Sequence, residues 1–202
     1  MNLYVKREIY DLILKIHLVS FAEINPVFDF MILQICKKNE VLKSTNEVEL
    51  NSRIIVKGYI GLFQKVKNKF ICRQIYVPGS IACDFNSYSN SAKTDLKIMA
   101  LTECVFGALK KSDEEQILKF NPSLAILAVK INQSCNIYLD KWMSFKSIPN
   151  NRKLNELRKS YPNLINILPD QYIYEALGIS KRTYYRIKST EGKEKETLIN
   201  PK

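Results

Sequence analysis

Apolar residues recur at helical spacing near the start of the chain, where Leu3, Ile9, Leu12, Ile13, Ile16 and Val19 fall on one face. That spacing predicts mostly helix over residues 2–37, broken at Pro26. From residue 38 to 109 the period changes. Arg53–Val56, Tyr59–Phe63, Phe70–Val77, Leu96–Leu101 and Cys104–Leu109 are short β-rich runs. Lys57-Gly58, Lys67-Asn68-Lys69, Pro78-Gly79 and the polar stretch Asn86–Ser91 separate them as turns. Many short strands joined by polar turns predict a sandwich or jelly roll. Helical spacing returns from Ser112 to about Phe145. There Leu124, Ala128, Ile131, Cys135, Tyr138, Trp142 and Phe145 step by fours and threes, a heptad seam held over three repeats. Such a face can pack on the chain's own barrel or on a second copy, and its regularity favours a parallel dimer.

The last patterned stretch, Asp170–Lys188, predicts two short helices across a tight turn. Ile173, Ala176 and Leu177 form the apolar face of the first. Gly178 supplies left-handed backbone just past its end, Ile179 plugs the angle, and Ser180 is a good N-cap for the second. Thr183, Tyr184 and Ile187 then face inward, which leaves Lys181, Arg182, Tyr185, Arg186 and Lys188 outside. This is the arrangement of a helix-turn-helix whose second helix enters a major groove. An ordinary helical hairpin with a solvated basic face is the alternative.

Charge sharpens the picture. The 202 residues suffice for one or two domains, and 31 Lys+Arg against 20 Asp+Glu give a net charge of +11. Such a surplus suits nucleic acid or an anionic membrane surface. Over residues 150–189, Arg152, Lys153, Arg158, Lys159, Lys181, Arg182, Arg186 and Lys188 outnumber Glu156, Asp170 and Glu175, so the excess gathers around the hairpin. The balanced, unpatterned residues 191–202 read as a flexible tail. Lys6, Arg7, Glu8, Asp11 and Lys15 interrupt the apolar N-terminus, which argues against a leader or a span. Cys36, Cys72, Cys83, Cys104 and Cys135 are scattered, without a Cys-x-x-Cys pair, and read as buried thiols of a cytoplasmic protein. His17, the single histidine, reads as structural. Asp113-Glu114-Glu115 suits a helix's first turn rather than a general acid. No phosphate loop, nucleophile elbow or metal spacing points to an enzyme, a metal site or a cofactor.

The order of parts, β-rich region, long helix, helix-turn-helix, resembles the Crp/Fnr family of bacterial transcription regulators, especially its compact members, from about Lys38 to Lys188. Lys38-Asn-Glu-Val-Leu42 is similar to the family's entry turn, with Asn39 where Gly is usual, and Ile54-Ile-Val-Lys-Gly58 to its strand-ending step. Pro78–Phe85 resembles the opening of the phosphate-binding cassette, and Asn121-Pro122 the start of the dimer helix. Arg152–Leu164 and Leu168–Ser180 carry the most specific match. The resemblance implies an α+β chain. Residues 1–120 would hold N-terminal helices and a cyclic-nucleotide-binding-like β-roll (a jelly roll, or double-stranded β-helix), and 121–146 a dimerisation helix. A helix-turn-helix domain with a curtailed wing would occupy 147–190. It further implies a homodimer bound to palindromic double-stranded DNA, with Ser180, Lys181, Arg182, Thr183, Tyr185, Arg186 and Lys188 at the DNA.

The effector cassette departs from the family pattern. The family's ribose-holding Gly-Glu pair falls on Cys83-Asp84, beside Phe85. Its phosphate-holding Arg-Ser pair falls on Thr94-Asp95, and its base-contacting Thr-Ser pair on Leu139-Asp140. A phosphate needs a cation and unpaired donors, Asp95 would repel it, and Lys93 is the only cation nearby in sequence. A vestigial pocket without cyclic AMP is the expectation. The competing readings are a degenerate sensor that grips a small ligand or protein without reading DNA, and a membrane-surface adaptor.

Overall fold

The computed structural model describes residues 3–199, with side chains as far as Thr190. Helices α1 (Leu3–Leu14) and α2 (Phe21–Phe30) come first. Ser20 and Glu23 form a capping box: the Glu23 N–H donates to the Ser20 hydroxyl and the Ser20 N–H to the Glu23 carboxylate. Pro26 lies inside α2 without ending it, because the cap and the burial of Ile24 and Phe28 offset one missing backbone bond. The helical reading fails after Met31. Ile32–Cys36 is strand β1, since strand β8 (Cys104–Lys110) offers partners from Ile32↔Ala108 to Cys36↔Cys104.

The remaining strands are β2 (Val41–Lys43), β3 (Asn51–Lys57), β4 (Ile60–Val66), β5 (Lys69–Tyr76), β6 (Ile81–Ala82) and β7 (Leu96–Ala100). They form two antiparallel sheets, ordered β1-β8-β3-β6 and β2-β7-β4-β5, which is the expected jelly roll. Ile55, Ile60, Ile98 and Phe106 form its core, and Tyr76 is buried with them. Asn39 has φ +70°, as a turn residue in place of glycine must. Gly58 has φ +90°, and a Cβ there would lie 2.3 Å from the Glu103 carbonyl oxygen. That strand end therefore admits only glycine. Part of the stretch read as a turn at Asn86–Ser91 is helix α3 (Phe85–Asn90), capped by Asp84.

Helix α4 (Lys111–Phe120) starts with Asp113 and Glu114 in its first turn, and a 3₁₀ turn (Pro122–Leu124) leads into α5 (Ala125–Ser147). The heptad seam is present but faces inward. Leu124, Cys135, Trp142 and Phe145 are buried in their own protomer, with Trp142 only 1% exposed, and Ala128, Ile131 and Tyr138 are half-buried. The seam is therefore not a dimer interface. The jelly roll and the C-terminal helices cover it, and the heptad spacing alone could not tell that partner from a second copy. The opposite face of α5 is apolar and open, with Ile126 62% and Ile137 69% exposed, alongside Val129 and Met143.

Helices α6 (Asn150–Ser160), α7 (Leu164–Ile167), α8 (Asp170–Ala176) and α9 (Lys181–Ile199) complete the chain. A flexible tail from residue 191 is not what is found, because α9 runs on to Ile199. The Glu- and Lys-rich composition of that stretch is strongly helix-favouring, which apolar patterning does not register. Residues 200–202 of the expected tail lie outside the described residues.

Candidate nucleic-acid interface

Three consecutive backbone bonds close α8. The N–H groups of Leu177, Gly178 and Ile179 donate to the carbonyls of Ile173, Glu175 and Tyr174. Gly178 reverses the chain at φ +66°. Ile179 is buried in the angle, and the Ser180 hydroxyl accepts from the Thr183 N–H at 3.1 Å to start α9. Tyr184 and Ile187 are buried. The Tyr184 hydroxyl donates to Asp170 Oδ1 at 2.7 Å, and Lys188 Nζ reaches both carboxylate oxygens at 2.9 and 3.0 Å. Burial works to raise the Asp170 carboxyl, but the bonds from Tyr184 and Lys188 hold it below its ordinary range.

This geometry sorts the residues expected at DNA. Lys181, Arg182, Tyr185 and Arg186 lie exposed on the outer face of α9, and the three cations make no ion pair. Ser180 and Thr183 are engaged in the cap, their hydroxyls 2.9 Å apart. Lys188 turns back to clasp Asp170, so its charge is already partnered. Lys153, counted in the sequence as surface charge, is buried. Its ammonium donates to the carbonyls of Lys146 and Leu177 at 2.8 and 3.1 Å, a cation tying together the C-terminal ends of α5 and α8. Burial lowers its pKa.

The helix pair is fastened to the jelly roll. A register shift in β4–β5 between Leu62 and Phe63 accommodates Arg73 as an extra residue. There the Cys72 N–H donates to the Glu175 carboxylate of α8 at 2.8 Å, and Lys146 Nζ to the Arg73 carbonyl at 2.9 Å. Phe63 meets Tyr172 edge-on at 5.6 Å, and Trp142 stacks on Tyr161 at 6.1 Å. The motif is thus set on a rigid platform, and sequence gave no sign of these cross-links because every one is long-range.

Inside the roll, the residues expected around an effector are engaged with one another. Asp84 is buried, accepts from the Ser87 N–H at the start of α3 and pairs with Lys43 Nζ at 3.0 Å. Lys43 also donates to the Thr94 hydroxyl at 2.7 Å and the Leu96 carbonyl at 2.9 Å, and Thr94 in turn donates to Asp84. Cys83 is buried, and burial pushes its thiol up. Phe85 is half-buried. Asp95 points outward and accepts from Gln64 at 3.0 Å, so the repulsion expected from it does not arise. The cation that matters is Lys43, not Lys93. Nearby, Arg53 makes a two-pronged contact with Glu49 at 2.9 and 3.1 Å.

No protein-family model and no curated protein sequence matches this chain. Solved structures do. FixK2 from Bradyrhizobium japonicum aligns over 81% of this chain and 85% of its own at 13% identity, with a TM-score of 0.64. CLP from Xanthomonas campestris, described as a c-di-GMP responsive global regulator, aligns over 87% and 93% at 9% identity, with a TM-score of 0.63. A cyclic nucleotide-binding domain from Methylobacillus flagellatus covers 81% and 84% at 16% identity, with a TM-score of 0.59. The fold is that of the Crp/Fnr regulators. Within the Crp/Fnr fold, the polar cluster of Lys43, Asp84 and Thr94 sits inside the roll, and α9 is the second helix of the helix-turn-helix.

Proposed function

We propose that this chain is a DNA-binding transcription regulator that acts as a homodimer and reads a two-fold symmetric site through α9, without a cyclic nucleotide. The observation that carries this reading is the outer face of α9, where Lys181, Arg182, Tyr185 and Arg186 stand exposed beyond a fixed turn while Tyr184 and Ile187 anchor the helix. Guanidinium and ammonium groups on a helix of this kind can meet phosphates and guanine edges in a major groove.

The open apolar face of α5 supports a dimer. Ile126, Val129 and Ile137 recur at heptad-compatible spacing on an otherwise solvated helix. Two copies joined there would set two α9 helices for successive grooves about 34 Å apart.

The cyclic nucleotide is excluded on charge. The start of α3, where a phosphate would rest, already holds the Asp84 carboxylate, and Lys43 is neutralised by it. An incoming phosphate would meet a buried carboxylate and no spare cation.

Selection of bound sequences from a random duplex pool tests the reading. An enriched inverted repeat, with half-site centres about 10 base pairs apart, is expected. Recovery of no preferred sequence would contradict it.

A further inference from the structure

A cavity of about 390 Å³ opens where the jelly roll, α1, α5 and the α6–α7 connection meet. It belongs to none of the groups discussed above. Tyr76 and Tyr138 form one aromatic wall, their rings stacked 5.9 Å apart and 12° from parallel, and Tyr161 adds a third ring. The hydroxyls of the first two are tied down: Tyr76 donates to the Cys83 carbonyl and Tyr138 to the Ile75 carbonyl. Their flat faces are what remain for an occupant.

The polar features are few and of one kind. Gln74, only 5% exposed, lines the cavity, and its amide nitrogen has no hydrogen-bond partner. A buried donor without an acceptor costs about 1–3 kcal/mol, so it marks a place where an acceptor is wanted. At the other end stand Lys15, which is exposed, and Lys141, whose ammonium lies 4.6 Å from the Tyr161 ring centre. No carboxylate is among the lining residues. The space therefore runs from a buried donor, along aromatic walls, to a cationic mouth.

We infer that this cavity binds a small aromatic carboxylate. Its ring lies against the tyrosines, an acceptor on its inner edge meets the Gln74 amide, and its carboxylate meets Lys141 and Lys15. A cavity of about 150 Å³ accommodates benzene, so a two-ring compound is in range here. Because Tyr161 belongs to the connection that carries the C-terminal helices and stacks on Trp142, an occupant touches the joint between the roll and the helix-turn-helix. The site goes beyond DNA reading and stands whether or not α9 binds DNA.

Calorimetry on the full chain tests it, with a naphthoate that carries a hydroxyl on the ring remote from its carboxylate. Saturable one-to-one binding is expected. Gln74→Leu should weaken it about tenfold while unfolding at or above the wild-type temperature, since the unpaired donor is gone. Lys141→Ala and the methyl ester of the probe should each weaken it severalfold. Absence of saturable binding, or unchanged affinity in Gln74→Leu, would overturn the site. Equal affinity for the acid and its ester would overturn the carboxylate assignment. None of these measurements uses DNA, so their failure leaves the reading of α9 untouched.

Discussion

Arg186 lies in the middle of the exposed face of α9, flanked by Tyr185 and beyond the reach of Asp170. A guanidinium in that position can pair with both acceptors on a guanine edge, which an ammonium cannot do. Arg186→Ala should cost about 1–3 kcal/mol on the preferred site and less on random DNA. Fluorescence anisotropy on both duplexes measures this, and equal losses would reduce Arg186 to a phosphate contact. Lys43 is the opposite kind of residue, a cation enclosed by its own chain with Asp84, Thr94 and the Leu96 carbonyl. Removing one member of a buried pair leaves its partner charged and unsolvated, at about 3–5 kcal/mol. Lys43→Met should therefore lose stability on that scale in urea denaturation, and Asp84→Asn added to it should recover part of the loss. The polar types at Asp84 and Thr94 were legible in sequence, but their partner was not, since Lys43 lies 41 residues from Asp84. Reading charge by sequence distance instead selected Asp95 and Lys93, two residues that both face solvent.

At the scale of elements, the clasp between α8 and α9 depends on one carboxylate. Asp170 is held below its ordinary pKa, so the stability it contributes is present above the unfolded-state value, near 4 for an aspartate, and is lost as pH falls through the lower folded value. Asp170→Asn should lower Tm at neutral pH, and the gap from wild type should shrink as pH drops below about 4. A gap independent of pH would place the effect in packing rather than charge. The open face of α5 makes a second prediction. Ile137→Lys would set two charges against each other in an apolar interface and should give a monomer by sedimentation, whereas Ile131, half-buried in its own protomer, is not at that interface. A dimeric Ile137→Lys protein would move the interface elsewhere. The five strand runs and the Gly178–Ser180 turn were legible because alternation and turn chemistry are local. Strand β1 was not, because Ile32–Cys36 is a short apolar run that only β8 turns into a strand. The heptad spacing on α5 was correctly seen and assigned to the wrong partner. That helix is apolar on two faces, and periodicity alone does not say which face meets which neighbour.

For the whole molecule, the decisive property is that the helix-turn-helix is fixed to the roll by Glu175, Lys146 and the aromatic cluster around Trp142. Two such units joined through α5 would present their basic faces at a set separation, so affinity should come from both half-sites together and be strongly salt-dependent. Among the described residues no helix is long and apolar enough to cross a membrane, and the basic surface is concentrated on α9. Binding to the selected duplex, competed with random duplex across a salt series, tests this most directly. The account predicts a preference of at least about 10³-fold for the selected site, with affinity for both duplexes falling steeply as salt rises. Equal affinity for the two duplexes at every salt concentration would contradict it.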